Sequence, residues 1–105
     1  MLFRSVGVRV DPAQVATALA DLPSGSLRIE ANKGRILRVE GRVLPGNRLA
    51  VEFRGESFDV FSFDAALREK LRADFRAGDT LRFYGELGQY RDRWQFIIQD
   101  LSWVK

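Results

Sequence analysis

Hydrophobic and polar residues alternate through much of this 105-residue chain, and in two places a helical period replaces the alternation. Val6, Val8 and Val10 share one side of LFRSVGVRV with arginines between or opposite them, as in a half-buried strand, where successive side chains point to opposite faces. Asp11-Pro12 interrupts this run. Aspartate caps helices, proline suits a first helical position, and Val15, Leu19 and Leu22 recur at helical spacing, so a short helix is predicted over 11–22. PSGS ends it. SLRIEA and GRILRVEGRVL follow as two alternating runs joined by NKG, a combination that suits a tight turn into a hairpin.

From Gly34 onward the pattern is cleaner. Leu37, Val39, Gly41 and Val43 alternate with Arg38, Glu40 and Arg42, PGN turns the chain, and Leu49, Val51 and Phe53 then point one way, which makes two antiparallel strands. GES turns again into FDVFSF. In DAALREKLRADFRAGD the residues Leu67, Leu71 and Phe75 recur every four positions behind a possible Asp64 cap and ahead of Gly78, so a helix is predicted there. Glu69 with Arg72 and Lys70 with Asp74 sit at ion-pairing offsets on its outer surface, each pair worth about 0.2–0.5 kcal/mol. TLRFYGEL and RWQFIIQDLSWVK supply two last strands around GQYRDRWQF, a turn region crowded with three aromatic residues and two arginines.

Composition narrows the chemistry. A chain of this length has room for one core, and the absence of cysteine and histidine removes thiol and imidazole nucleophiles, histidine bases and the common zinc sites. The pI of 9.8 overstates the charge, because 17 basic and 14 acidic groups leave a net +3 and no histidine titrates near neutrality. More telling, 14 of the 17 basic residues are arginine, which pairs bidentately with phosphate and stacks on bases, although a GC-rich genome would produce the same excess. No apolar run approaches the roughly 18 residues of a membrane span and the amino terminus lacks a signal peptide's apolar core, so a soluble, cytoplasmic protein is expected.

The order from Gly34 is strand, strand, strand, helix, strand, strand. Residues 34–104 thereby resemble an oligonucleotide-binding OB domain of the kind found in anticodon-binding modules and in the amino-terminal domain of exonuclease VII large subunits. ILRVEGRV with its internal glycine, the glycine-led AGDTLRFYGEL, and the hairpin YRDRWQFIIQDL carry the resemblance. It implies a mainly β fold: a five-stranded Greek-key barrel over 34–105, one helix between its third and fourth strands, and a strand-helix extension over 1–33 packed on the barrel or a partner. Such domains bind oligomers across strands two and three and the flanking loops. That implies Arg48 and Arg54 on strand two, Phe61 and Phe63 on strand three, and Tyr90, Arg91, Arg93 and Trp94 at the last hairpin as contacts to single-stranded DNA or RNA.

Each candidate also has a plainer reading. Phe58, Val60 and Ser62 alternate with Phe61 and Phe63, and alternation alone does not say which set is inside. Trp94, Phe96 and Ile98 form a stripe that suits a core, Arg91-Asp92-Arg93 is the mix of any solvated hairpin tip, and Trp103 suits either a barrel cap or a partner contact. Glu52, Glu56, Asp59 and Asp64 are numerous around strands two and three, yet no spacing among them matches a metal or acid-base motif. The expectation is a non-catalytic module without cofactor that binds single-stranded nucleic acid with little sequence preference. Its rival is an OB-like protein-interaction module whose residues 1–33 mediate self-association or docking on a larger complex.

Overall fold

The computed structural model of the chain describes residues 12–19 and 31–104. The strand expected around Val6, Val8 and Val10, the Asp11 cap, Leu22 and the 26–30 run lie outside the described residues. In chain order the elements are α1 (Pro12–Val15), β1 (Thr17–Ala18), β2 (Ile36–Val43), β3 (Ala50–Phe53), β4 (Glu56–Phe61), α2 (Ala65–Asp74), β5 (Thr80–Tyr90), β6 (Arg93–Ile97) and a 3-10 turn (Leu101–Trp103). Among the described residues no helix is long and apolar enough to cross a membrane.

Strands β2 to β6 close into a barrel compatible with an OB-like fold. Its order is β2-β3-β4-β6-β5, and β5 returns to pair with β2. All contacts between neighbours are antiparallel except β4 with β6, which run parallel with Asp59 opposite Gln95 and Phe61 opposite Ile97. Eleven residues allow β5 to serve two partners: Thr80–Glu86 pairs with β2, and 86–90 continues along β6. Closure is incomplete on one side of β2, which meets β3 only at Arg42 and Val43.

Alternation places the core. Leu37, Val39 and Val43 of β2, Val51 of β3, Phe58 and Val60 of β4, Leu81, Phe83 and Leu87 of β5, and Phe96 of β6 all point inward and are buried. Three rings organise the centre, with Phe96 4.7 Å from Phe58 and 5.5 Å from Phe83 between centroids, distances at which aromatic pairs attract. Two glycines make this packing possible. A Cβ on Gly41 would lie 2.9 Å from Val51 Cβ, and one on Gly85 would lie 2.7 Å from Phe96 Cβ. Trp103 is buried in the same core, so the carboxyl-terminal ring is an internal wedge.

Helix α2 forms where its period predicts. The Asp64 side chain caps it by accepting from the N–H groups of Ala66 (2.9 Å) and Leu67 (3.3 Å), and Leu67 and Leu71 join the barrel core. Phe75, at the carboxyl-terminal cap, is half-buried against that core. The outer pairs also form, Lys70 to Asp74 at 2.9 Å and Arg72 to Glu69 at 4.0 Å.

Two local expectations are corrected. The 11–22 helix is confined, among the described residues, to Pro12–Val15; the chain then extends, and Thr17 and Ala18 pair in parallel with Leu37 and Arg38. Barrel strand β2 meets β3 only at Arg42 and Val43, so its other end has backbone groups to satisfy, and pairing there wins over a weak helical preference. Val15 is left 56% exposed while Leu19 enters the core. The turn after β3 is also displaced. It consists of Arg54 and Gly55, and the strand resumes at Glu56 opposite Phe53. Arg54 therefore sits in a hairpin turn and not on the strand.

Candidate functional site

One face of the barrel carries a cleft of about 520 Å³. Its walls come from four places in the chain: Asn47 and Arg48 in the loop between β2 and β3, Asp59, Phe61 and Phe63 along and just beyond β4, Arg68 and Arg72 on α2, and Tyr90 and Gln95 from the last hairpin. Each local reason is legible. Phe58 and Val60 fill the inner face of β4, so Asp59 and Phe61 must take its outer face, and Ser62, buried at the strand's end, sends Phe63 outward. Phe61 and Phe63 are therefore not core residues: Phe61 is half-buried, and Phe63 is 78% exposed.

The two phenylalanines contact edge to face at 5.1 Å. Arg68 spans the start of α2. Its Nη1 donates to the Ser62 carbonyl at 2.8 Å, and its guanidinium lies 5.1 Å from the Phe61 ring centre, so one arginine fixes the ring and presents a charge beside it. Tyr90 also lines the cleft, 60% exposed, with the Arg91 guanidinium 5.2 Å from its ring.

Asp59 forms the charged floor. Arg93 donates Nε to Oδ2 and Nη2 to Oδ1, both at 2.7 Å, and Arg48 Nη1 approaches Oδ2 at 3.4 Å. The Asp59 side chain is only 12% exposed, whereas those of Arg48 and Arg93 reach solvent. Asp59, by hydrogen bond first and charge second, raises the Arg93 guanidinium above its ordinary value. Arg93 is thus a held group on β6 and not a mobile tip residue.

Of the eight residues expected at the site, Arg48, Phe61, Phe63 and Tyr90 line the cleft, and Arg91 and Arg93 flank it through Tyr90 and Asp59. Two lie elsewhere. Arg54 sits over the Phe53 ring at 5.1 Å in its turn, and Trp94 is half-buried against the core, on the side of β6 that carries Phe96, with Lys33 Nζ 5.8 Å from its ring. Arg68 and Arg72 were legible as helix surface only. Each follows a core leucine, Leu67 and Leu71, by one residue, which turns it about 100° from the core stripe and onto the rim of the cleft.

Glu69 lines the cleft with an exposed side chain, 4.0 Å from Arg72, whereas three other carboxylates around the site have structural occupations. Glu52 accepts from Arg42 at 3.1 Å, Asp59 holds Arg93, and Asp64 caps α2. Among the described residues no three acidic side chains come together as a cation site. The cleft can offer flat apolar surfaces at Phe63 and Tyr90 and guanidinium groups at Arg48, Arg68 and Arg72. No protein-family model matches this chain, and no curated protein matches it at a significant level.

Proposed function

We propose that the barrel is an OB-fold and that its cleft binds single-stranded nucleic acid with little sequence preference, without catalysis. The strand order, with a helix after the third barrel strand and a parallel pairing of β4 with β6, supports the fold reading. One observation carries the functional reading: two exposed rings, Phe63 and Tyr90, line one cleft together with Arg48, Arg68 and Arg72. Every base has a face that stacks on such a ring, at about 1–3 kcal/mol per base, and arginines add a sequence-independent attraction to phosphate.

A second reading is favoured by the ion pairs. Asp59 neutralises part of the arginine charge, and Arg42 with Glu52 and Arg82 with Glu40 do the same around the barrel, so the cleft would instead receive an apolar segment of another protein. Fluorescence anisotropy of a labelled mixed-sequence single strand, at low and at moderate salt, separates the two. Binding that weakens steeply with salt supports the nucleic-acid reading; no binding at low salt overturns it in favour of the protein-interaction module.

A further inference from the structure

Beside the aromatic cleft lies a smaller notch of about 250 Å³, bounded by Leu44, Pro45 and Gly46 of the loop between β2 and β3 and by the segment that leaves α2. Arg48 and Arg72 line both cavities, and Arg76 lines the notch alone. Three arginines therefore border a recess whose other lining residues are uncharged, from Val43 to Gly46 and Leu49 on one side and Phe75 and Ala77 on the other. Arg76 has no ion-pair partner among the described residues, and Arg72 has only an exposed Glu69 at 4.0 Å. The recess has no exposed ring to stack on a base, since its one aromatic residue, Phe75, is half-buried against the core.

Spacing connects the notch to the cleft. Arg68, Arg72 and Arg76 follow one another every four residues: the first lines the cleft, the second both cavities, the third the notch. Between Arg68 and Arg72, both on α2, four residues rise about 6 Å, comparable to the step between neighbouring phosphates of an extended strand, and Arg76 follows just beyond the extended Phe75 cap. Across from them, Arg48 closes the path at the point where the cavities meet.

We infer that the notch is a phosphate-holding subsite: a single strand whose bases occupy the aromatic cleft continues past the end of α2, with an internal phosphodiester between Arg48, Arg72 and Arg76. The inference rests on the nucleic-acid reading of the cleft and adds to it a direction and a second set of contacts. It divides the labour, with bases on the rings of the cleft and backbone alone in the notch.

The test uses the full chain and oligo(dT) probes from about 4 to about 16 nucleotides, with and without a 5′ phosphate. Wild-type affinity should rise with length in the unphosphorylated series. The Arg76→Ala variant should bind the shortest oligomers nearly as well but lose much of the gain with length, and its slope of log affinity against log salt should be shallower by about 0.7. A charge-matched control, Arg38→Ala on the wall away from the cleft, should keep both properties. The notch subsite is overturned if Arg76→Ala keeps the wild-type length dependence and slope, if the control loses as much, or if the gain comes only with a terminal phosphate. If wild-type protein binds no oligomer of any length, the reading of the cleft fails, and the subsite with it.

Discussion

Arg93 and Asp59 stand on the two parallel strands of the barrel, 34 residues apart in sequence, and meet through two hydrogen bonds of 2.7 Å each. The geometry is that of an arginine on a phosphate, with a carboxylate in the phosphate's place. Asp59 thus fixes the guanidinium beside the cleft and at the same time withholds part of its charge. Replacing Asp59→Asn should strengthen binding of a single strand several-fold and steepen its salt dependence by about 0.7 for each arginine released. Its melting temperature should fall, since an oriented ion pair is lost. Unchanged affinity in an anisotropy titration would show that Arg93 and Arg48 do not face the ligand.

The pH response of this pair follows from the direction of the Arg93 shift. A raised value means that the arginine's share of the interaction is complete at every pH below its unfolded value and is lost only as pH rises through the folded one. Around neutrality, then, neither stability nor binding should change through Arg93. A titration midpoint near neutral pH in the affinity of the wild type, absent in Arg93→Ala, would contradict this.

Phe63 and Tyr90 should act as stacking surfaces and not as supports. Phe63→Ala and Tyr90→Ala should each weaken binding by about 1–3 kcal/mol, leave the salt slope nearly unchanged, and melt close to the wild type. A Tyr90→Ala protein that unfolds, followed by circular dichroism, would instead assign that ring to the structure.

Helix α2 depends on its apolar stripe. Leu71 is only 2% exposed and belongs to the barrel core, so Leu71→Ala should cost about 2–5 kcal/mol in a denaturant melt. A loss under about half a kcal/mol would show that the helix is not seated on the barrel as described.

The turn between β3 and β4 is a place to gain stability. Arg54 and Gly55 both have positive φ, 52° and 82°, the conformation of a two-residue turn in which Asn-Gly is preferred. Arginine there carries a cost of roughly 1–2 kcal/mol, part of which asparagine avoids. Arg54→Asn should therefore raise stability by up to about 1 kcal/mol in the same melt, and it should leave nucleic-acid affinity unchanged because this turn lies outside the cleft. A loss of affinity would extend the interface to the β3–β4 turn.

Alternation, period and caps were sufficient for the existence and order of the barrel strands and for α2, because each of these signals acts within a few residues. Leu37, Val39 and Val43 share a face by strand geometry alone, and Asp64 caps a helix whose leucines recur every four positions. Which face of β4 is inside was another matter. Phe58 and Val60 were as apolar as Phe61 and Phe63, and only closure of the barrel, which provides one interior for all five strands, turned the latter pair toward the cleft. The same closure left the end of β2 to be paired, which drew Thr17 and Ala18 out of a predicted helix. It also put Trp94 on the core side of β6, and it brought Arg93 to Asp59 across a sequence distance that no local pattern spans. Local signals determine what a segment can become; where its side chains end up depends on backbone pairing and burial, which are satisfied only by the whole barrel at once.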